Sequence, residues 1–153
     1  MANTVFTFTS INPFGLTDTG TLTTPNFVDI DNDGDLDVFV GEGFGDTAFF
    51  RNTGTVANPI FAAAIINPFG LSNAGFYIDS SYVDIDNDGD LDVVISNDAP
   101  SETLVYLNDG KGRFTVGSTY GRPEWPMRNA TVADMNGDGR LDSNLPNNRI
   151  GSP

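Results

Sequence analysis

Residues 29–37 read DIDNDGDLD, and the same nine residues return unchanged at 84–92. Five aspartates in nine positions repel one another, which points to something positive that gathers them, the plain alternative being a solvated Asp/Asn/Gly turn with no metal. Counted from its first residue, the segment has carboxylates at positions 1, 3, 5 and 9 and a glycine at position 6. Position 7, occupied by Asp35 or Asp90, is placed to offer a backbone carbonyl. That is a cage of hard oxygens, and Ca²⁺ takes six to eight of them at about 2.3–2.6 Å. Magnesium fits less well, because it gives up its waters reluctantly to an all-protein cage. The loop is not an EF-hand, which requires glutamate at position 12 and helical flanks. Position 12 here is Val40 or Ile95, and the flanks read as strands.

A looser copy, DMNGDGRLD, spans 134–142. It carries three carboxylates, Asp134, Asp138 and Asp142, together with Asn136, Gly139 at position 6 and Arg140 at position 7. A backbone ligand at position 7 explains why an arginine can stand there. With fewer charged ligands, this third loop is expected to bind calcium more weakly than the first two in a titration. About three ions per chain are expected.

The acidity is local. Thirteen of the 21 Asp and Glu residues lie in these three segments, and the chain also carries 12 Phe, unlike an acidic disordered tail. A net charge of −14 argues against nucleic acid as a partner, since little in the chain could neutralise phosphates. There is no cysteine and no histidine, which removes disulfides, thiolate metal sites and the usual proton shuttle. No apolar run reaches the length of a membrane span. The opening MANTVFTFTS has neither the basic nor the apolar region of a signal peptide. For an extracellular protein, such a signal is expected to be removed or to lie outside this chain.

The acidic segments are part of a larger repeat. INPFGL occurs at 11–16 and at 66–71, with the same offset of 55 that separates the two identical loops. Around each loop, short runs rich in Val, Ile, Phe and Tyr alternate with Gly, Asn, Asp and Pro clusters. The spacing predicts first strands over 27–30 and 82–85, second strands over 38–40 and 93–95, and third strands over 48–52 and 104–108. Fourth strands are predicted over 5–9, 60–66 and 114–116. No helical period extends over ten residues. Four short antiparallel strands per unit is the pattern of a propeller blade.

These residues resemble the FG-GAP/VCBS repeats of integrin-like calcium-binding β-propellers. Phe14-Gly15 and Phe69-Gly70 match the Phe-Gly half of that name, and Tyr120-Gly121 is a near match. Asp98-Ala99-Pro100 and Gly151-Ser152-Pro153 echo the other half. The resemblance implies an all-β fold of about three four-stranded antiparallel blades, the third incomplete. It also implies one calcium ion in each loop between first and second strands. Carried over by position, side-chain ligands become Asp29, Asp31, Asp33 and Asp37, then Asp84, Asp86, Asp88 and Asp92, then Asp134, Asn136, Asp138 and Asp142. Asp35, Asp90 and Arg140 would give backbone oxygen.

As one repeat domain over 1–153, the chain divides into an N-terminal outer strand and linker (1–24), blade 1 (25–79), blade 2 (80–127) and a truncated blade 3 (128–153). Pro146 disfavours a central strand where the third blade should continue. Three blades do not close a ring. The N-terminal strand is therefore expected to complete the third blade of its own chain or of a neighbour, giving a partial or oligomer-completed propeller. Two copies would close six blades, and a head-to-tail contact that fails to close would grow a filament.

The functional expectation is a non-catalytic, extracellular or cell-surface calcium-binding module for adhesion or self-assembly, associating through open blade edges. Millimolar calcium outside cells would keep such loops filled. A lectin-like propeller binding glycans is the alternative, with Trp125, Tyr120, Tyr106 and Tyr82 as stacking platforms, although such rings are more often core. A fragment of a larger propeller enzyme or adhesin is a further reading. Without His, Cys or a nucleophile motif, catalysis has little to work with, and Asp79, Asp98, Glu102 and Glu124 read as surface acids. Asn129-Ala130-Thr131 is an N-glycosylation acceptor sequence.

Overall fold

The computed structural model describes residues 11–98, 102–110, 113–120, 131–133 and 142–144. The expected strand over 5–9, the loop residues Asp134, Asn136, Asp138 and Arg140, and Glu124, Trp125, Asn129 and Pro146 lie outside them. Among the described residues the fold is all-β. Strands β1 (Thr24–Val28), β2 (Asp37–Gly41), β3 (Thr47–Phe50) and β4 (Ile65–Ile66) form one antiparallel sheet in sequence order. Strands β5 (Asp79–Val83), β6 (Asp92–Ser96), β7 (Thr103–Asn108) and β8 (Phe114–Tyr120) repeat it, and β9 (Thr131–Ala133) pairs with β10 (Asp142–Asn144).

The first strands begin three residues and end two residues earlier than the apolar runs suggest. Thr24–Asn26 and Asp79–Ser81 look like linker by composition, yet they pair with Gly41–Phe39 and Ser96–Val94. The chain turns at Asp29 and Asp84 because those carboxylates recruit the backbone N–H groups that follow. Pro25 is tolerated in β1 because that strand pairs on one side only. The fourth strand of the first sheet is shorter than expected. It is paired only at Ile65–Ile66, with a single bridge from Phe61 to Asn52.

The central strands are buried along their whole length, so they read as apolar runs rather than alternating ones. One face of the first sheet, with Val28, Phe39 and Phe49, packs against Val93, Ile95, Tyr106 and Phe114 of the second. The opposite face of the first sheet holds Val38, Val40, Ala48, Phe50 and Phe61. The inner strands β1 and β5 lie side by side. The Thr24 hydroxyl donates to the Ile78 carbonyl at 3.0 Å and the Asn26 amide to Ser80 Oγ at 3.3 Å. β5 in turn touches β9, so successive units advance in one direction, inner strand beside inner strand.

Each Pro-Phe-Gly (Pro13–Gly15 and Pro68–Gly70) forms a single tight turn, closed by the Leu16 or Leu71 N–H donating to the proline carbonyl. Phe69 adopts φ 60°, unusual for an aromatic residue, and Gly70 has φ +95°. The Phe69 ring is held 4.9 Å from Phe49, 6.4 Å from Phe39 and 6.2 Å from Phe114, so it wedges between the sheets. A Cβ on Gly70 would sit 2.7 Å from the Phe114 carbonyl oxygen. Gly70→Ala is therefore expected to destabilise the fold by about 2 kcal/mol, read by denaturant unfolding. An unchanged midpoint would show that the turn relaxes freely.

Candidate metal centres

The two identical loops close the β1–β2 and β5–β6 hairpins at the same end of the sheets. In the first, Asp29 Oδ1 accepts the Asp33 N–H at 3.1 Å and Asp29 Oδ2 the Gly34 N–H at 3.0 Å. Asp33 Oδ1 accepts the Asp35 N–H at 3.0 Å. The second loop repeats all three contacts through Asp84, Gly89, Asp88 and Asp90. Two left-handed residues make the tight path possible. Asn32 and Asn87 sit at φ 56° and 61°, and Gly34 and Gly89 at φ 93° and 98°.

This path brings carboxylate oxygens of Asp29, Asp31 and Asp33 within 4.8 Å of one another, and likewise those of Asp84, Asp86 and Asp88. Oxygens lying about 2.3–2.6 Å from one ion are at most about 5 Å apart, so each triad can reach a single Ca²⁺. The donor set fits calcium: hard, anionic and partly exposed. The Asp35 side chain is drawn toward Asn52, and Asp90 Oδ2 lies against Gly110. Position 7 therefore directs its side chain at the turn after the third strand.

Asp37 and Asp92, at position 9, stand apart from the triads. Both are buried in the first residue of the second strand, at 2 % and 0 % exposure. Asp37 Oδ1 accepts the Asn52 N–H at 2.7 Å and Asp92 Oδ1 the Asn108 N–H at 2.8 Å. Asp92 Oδ2 also accepts the Ile85 N–H at 2.8 Å, whereas Asp37 Oδ2 is buried without a hydrogen-bond partner. That oxygen is an unmatched charge beside the first triad, as expected of a group that completes an ion's shell. Of the third loop only the backbone of Asp142, in β10, is described.

Asn52 and Asn108 were not singled out from the sequence as part of the site, yet they tie it to the sheet. Their buried amides organise the turn that follows, Asn52 Oδ1 accepting from Gly54 and Ile60, Asn108 Oδ1 from Gly110. Asn108 Nδ2 also donates to the Leu91 carbonyl at 3.1 Å. The available signal was the pair Asn-Thr-Gly and Asn-Asp-Gly at matching places in the two repeats. Of the aromatics considered as sugar platforms, Tyr106 is core and Tyr82 is partly buried against it. Tyr106 is 1 % exposed with its hydroxyl on Ser72, and Tyr82 packs 5.1 Å from Phe39.

Among the described acids, every pKa that departs from its ordinary value moves up. Burial pushes the Asp37 carboxyl to about 6, against the pull of the Asn52 N–H. Desolvation followed by neighbouring aspartates raises Asp35 and Asp86, and burial raises Glu42 and Asp79. A carboxyl raised in the fold binds its proton more tightly there than in the unfolded chain. Its stabilising protonation is complete below the unfolded value and is lost as pH rises through the folded one. With calcium chelated, thermal stability is therefore expected to rise on going from neutral pH to about pH 5. With calcium present the order should reverse, because protons displace the ion. A chelated protein that loses stability over that interval would contradict these shifts.

Repeated four-stranded antiparallel sheets, each with an acidic loop in its first hairpin, define a protein built of β-propeller-type blades. An FG-GAP-like repeat model matches residues 29–95 and 84–143. The chain belongs to the FG-GAP-like repeat family. A comparison with the curated proteins gives no match.

Proposed function

We propose that this chain is a non-catalytic, calcium-stabilised structural module that works outside the cell in adhesion or self-assembly. The observation that carries this reading is the pair of loops identical in sequence, each gathering three carboxylates within 4.8 Å at the same corner of consecutive blades. Asp29, Asp31 and Asp33 would hold one ion and Asp84, Asp86 and Asp88 another, with backbone oxygens of Asp35 and Asp90. Asp37 Oδ2 is the additional candidate in the first loop. The ion's role is to cancel the loop's charge and lock the hairpin. Asp134, Asn136 and Asp138, outside the described residues, and Asp142 at the start of β10 are the candidates for a third ion.

Self-association is supported by the face of the first sheet that turns away from the second. Phe27 is 58 % exposed there and Phe14 57 %, beside a cavity of about 300 Å³ lined also by Leu36, Val56 and Phe61. Their repeat equivalents, Tyr82 and Phe69, are packed against Phe39 of the preceding blade. The open face is thus half of a blade–blade contact, and the occupant proposed for it is a blade from a second copy of this chain. Light scattering in millimolar calcium should report a mass above that of one chain, falling in EDTA or with Phe27→Asp. A single-chain mass in calcium, unchanged by either treatment, would overturn self-association while leaving the metal reading open to separate titration.

A further inference from the structure

The two loops are identical in sequence but differ in what stands over them. In the first, the Arg51 guanidinium forms an ion pair with Asp31 Oδ2. In the second, Asp86 at the same position turns into its own loop and accepts the Asp88 N–H at 3.2 Å. The register explains the difference. Phe50 pairs with Val38 as Tyr106 pairs with Val93, so the next residue, Arg51, corresponds to Leu107. Asn52 and Asn108, one step further, make matching contacts to Asp37 and Asp92, which confirms the alignment.

Building on the calcium reading, we propose that Arg51 is a tethered cation that competes with the metal for the first loop and sets its affinity below what its own ligands would give. Binding strength is the difference between the filled and empty loop. A counter-ion that neutralises Asp31 only in the empty loop lowers that difference. An ion that takes Asp31 Oδ2 must displace the guanidinium, and whichever oxygen it takes, the incoming divalent ion is repelled by the arginine. The arginine has somewhere to go: its Cζ already lies 5.9 Å from the centre of the Phe49 ring, and its side chain is 42 % exposed. Breaking an exposed pair of this kind weakens binding by a factor of about two to five, and charge repulsion brings the total to about tenfold.

The test is a calcium titration of the full chain followed by ¹⁵N-resolved NMR. The Gly34 and Gly89 amides, which donate to Asp29 and Asp84, report the two loops separately. Arg51→Leu, which copies the residue of the second blade, should shift the Gly34 midpoint to about tenfold lower calcium and leave Gly89 in place. In the unsubstituted chain, the Arg51 Nε–H signal should move in step with Gly34 as the guanidinium leaves Asp31. A Gly34 midpoint that stays put or rises in Arg51→Leu would overturn the role of Arg51 while the loops still bind. No calcium response at either glycine would overturn the calcium reading and this inference with it.

Discussion

Removing calcium is expected to lower the melting temperature of this chain by about 10–20 °C. At a calcium concentration a hundredfold above the dissociation constant, each filled site contributes about 2.7 kcal/mol. The two described loops together give about 5 kcal/mol, and about 2–4 °C accompanies each kcal/mol in a domain of this size. The effect is large because the cost of the empty state is built into the loops. Five carboxylates crowd each one, and Asp37 keeps a buried oxygen with no donor. The measurement is a thermal melt in millimolar calcium and again in EDTA, with magnesium as the control. A melting temperature indifferent to EDTA would sink the claim that the ion holds the fold.

Phe39→Ala is the substitution expected to cost most, about 3–5 kcal/mol and about 10 °C. Phe39 is fully buried in the middle of β2 and joins the two blades. Its ring lies 4.6 Å from Phe49 on the same sheet and 5.1 Å from Tyr82 on the next. Truncation would leave a cavity bordered by rigid rings on both sides, which collapse poorly. Loss of cooperativity should accompany the loss of stability, because this cluster spans both blades. Val116→Ala on the exposed outer strand, by contrast, should shift the midpoint by no more than about 0.5 kcal/mol. If the two variants melt alike, the inter-blade cluster is not the core of the fold.

The repeat and the acidic loops were legible in the sequence because their physics is local. Position 6 needs a residue that tolerates positive φ, and carboxylates two apart on a tight turn converge whatever lies beyond. The strand limits were harder to read. Thr24–Asn26 and Asp79–Ser81 carry no apolar signal, and their place in the sheet comes from pairing with Gly41–Phe39 and Ser96–Val94. Asn52 and Asn108 were legible as turn residues only. Their role beneath the loops depends on a backbone N–H reaching a carboxylate 15 or 16 residues back, and a backbone donor leaves no mark on composition.

By itself, then, the sequence determined the unit: four short strands, one Phe-Gly turn and one oxygen-rich loop, since each follows from residue types within a few positions of one another. The tertiary structure alone decided how equal sequences become unequal sites. Nothing within DIDNDGDLD distinguishes its two copies. The difference comes from the register of β2 on β3 and of β6 on β7, which sets an arginine over one loop and a leucine at the matching place of the other sheet. Charge acts through space, and only the fold states which charges are near.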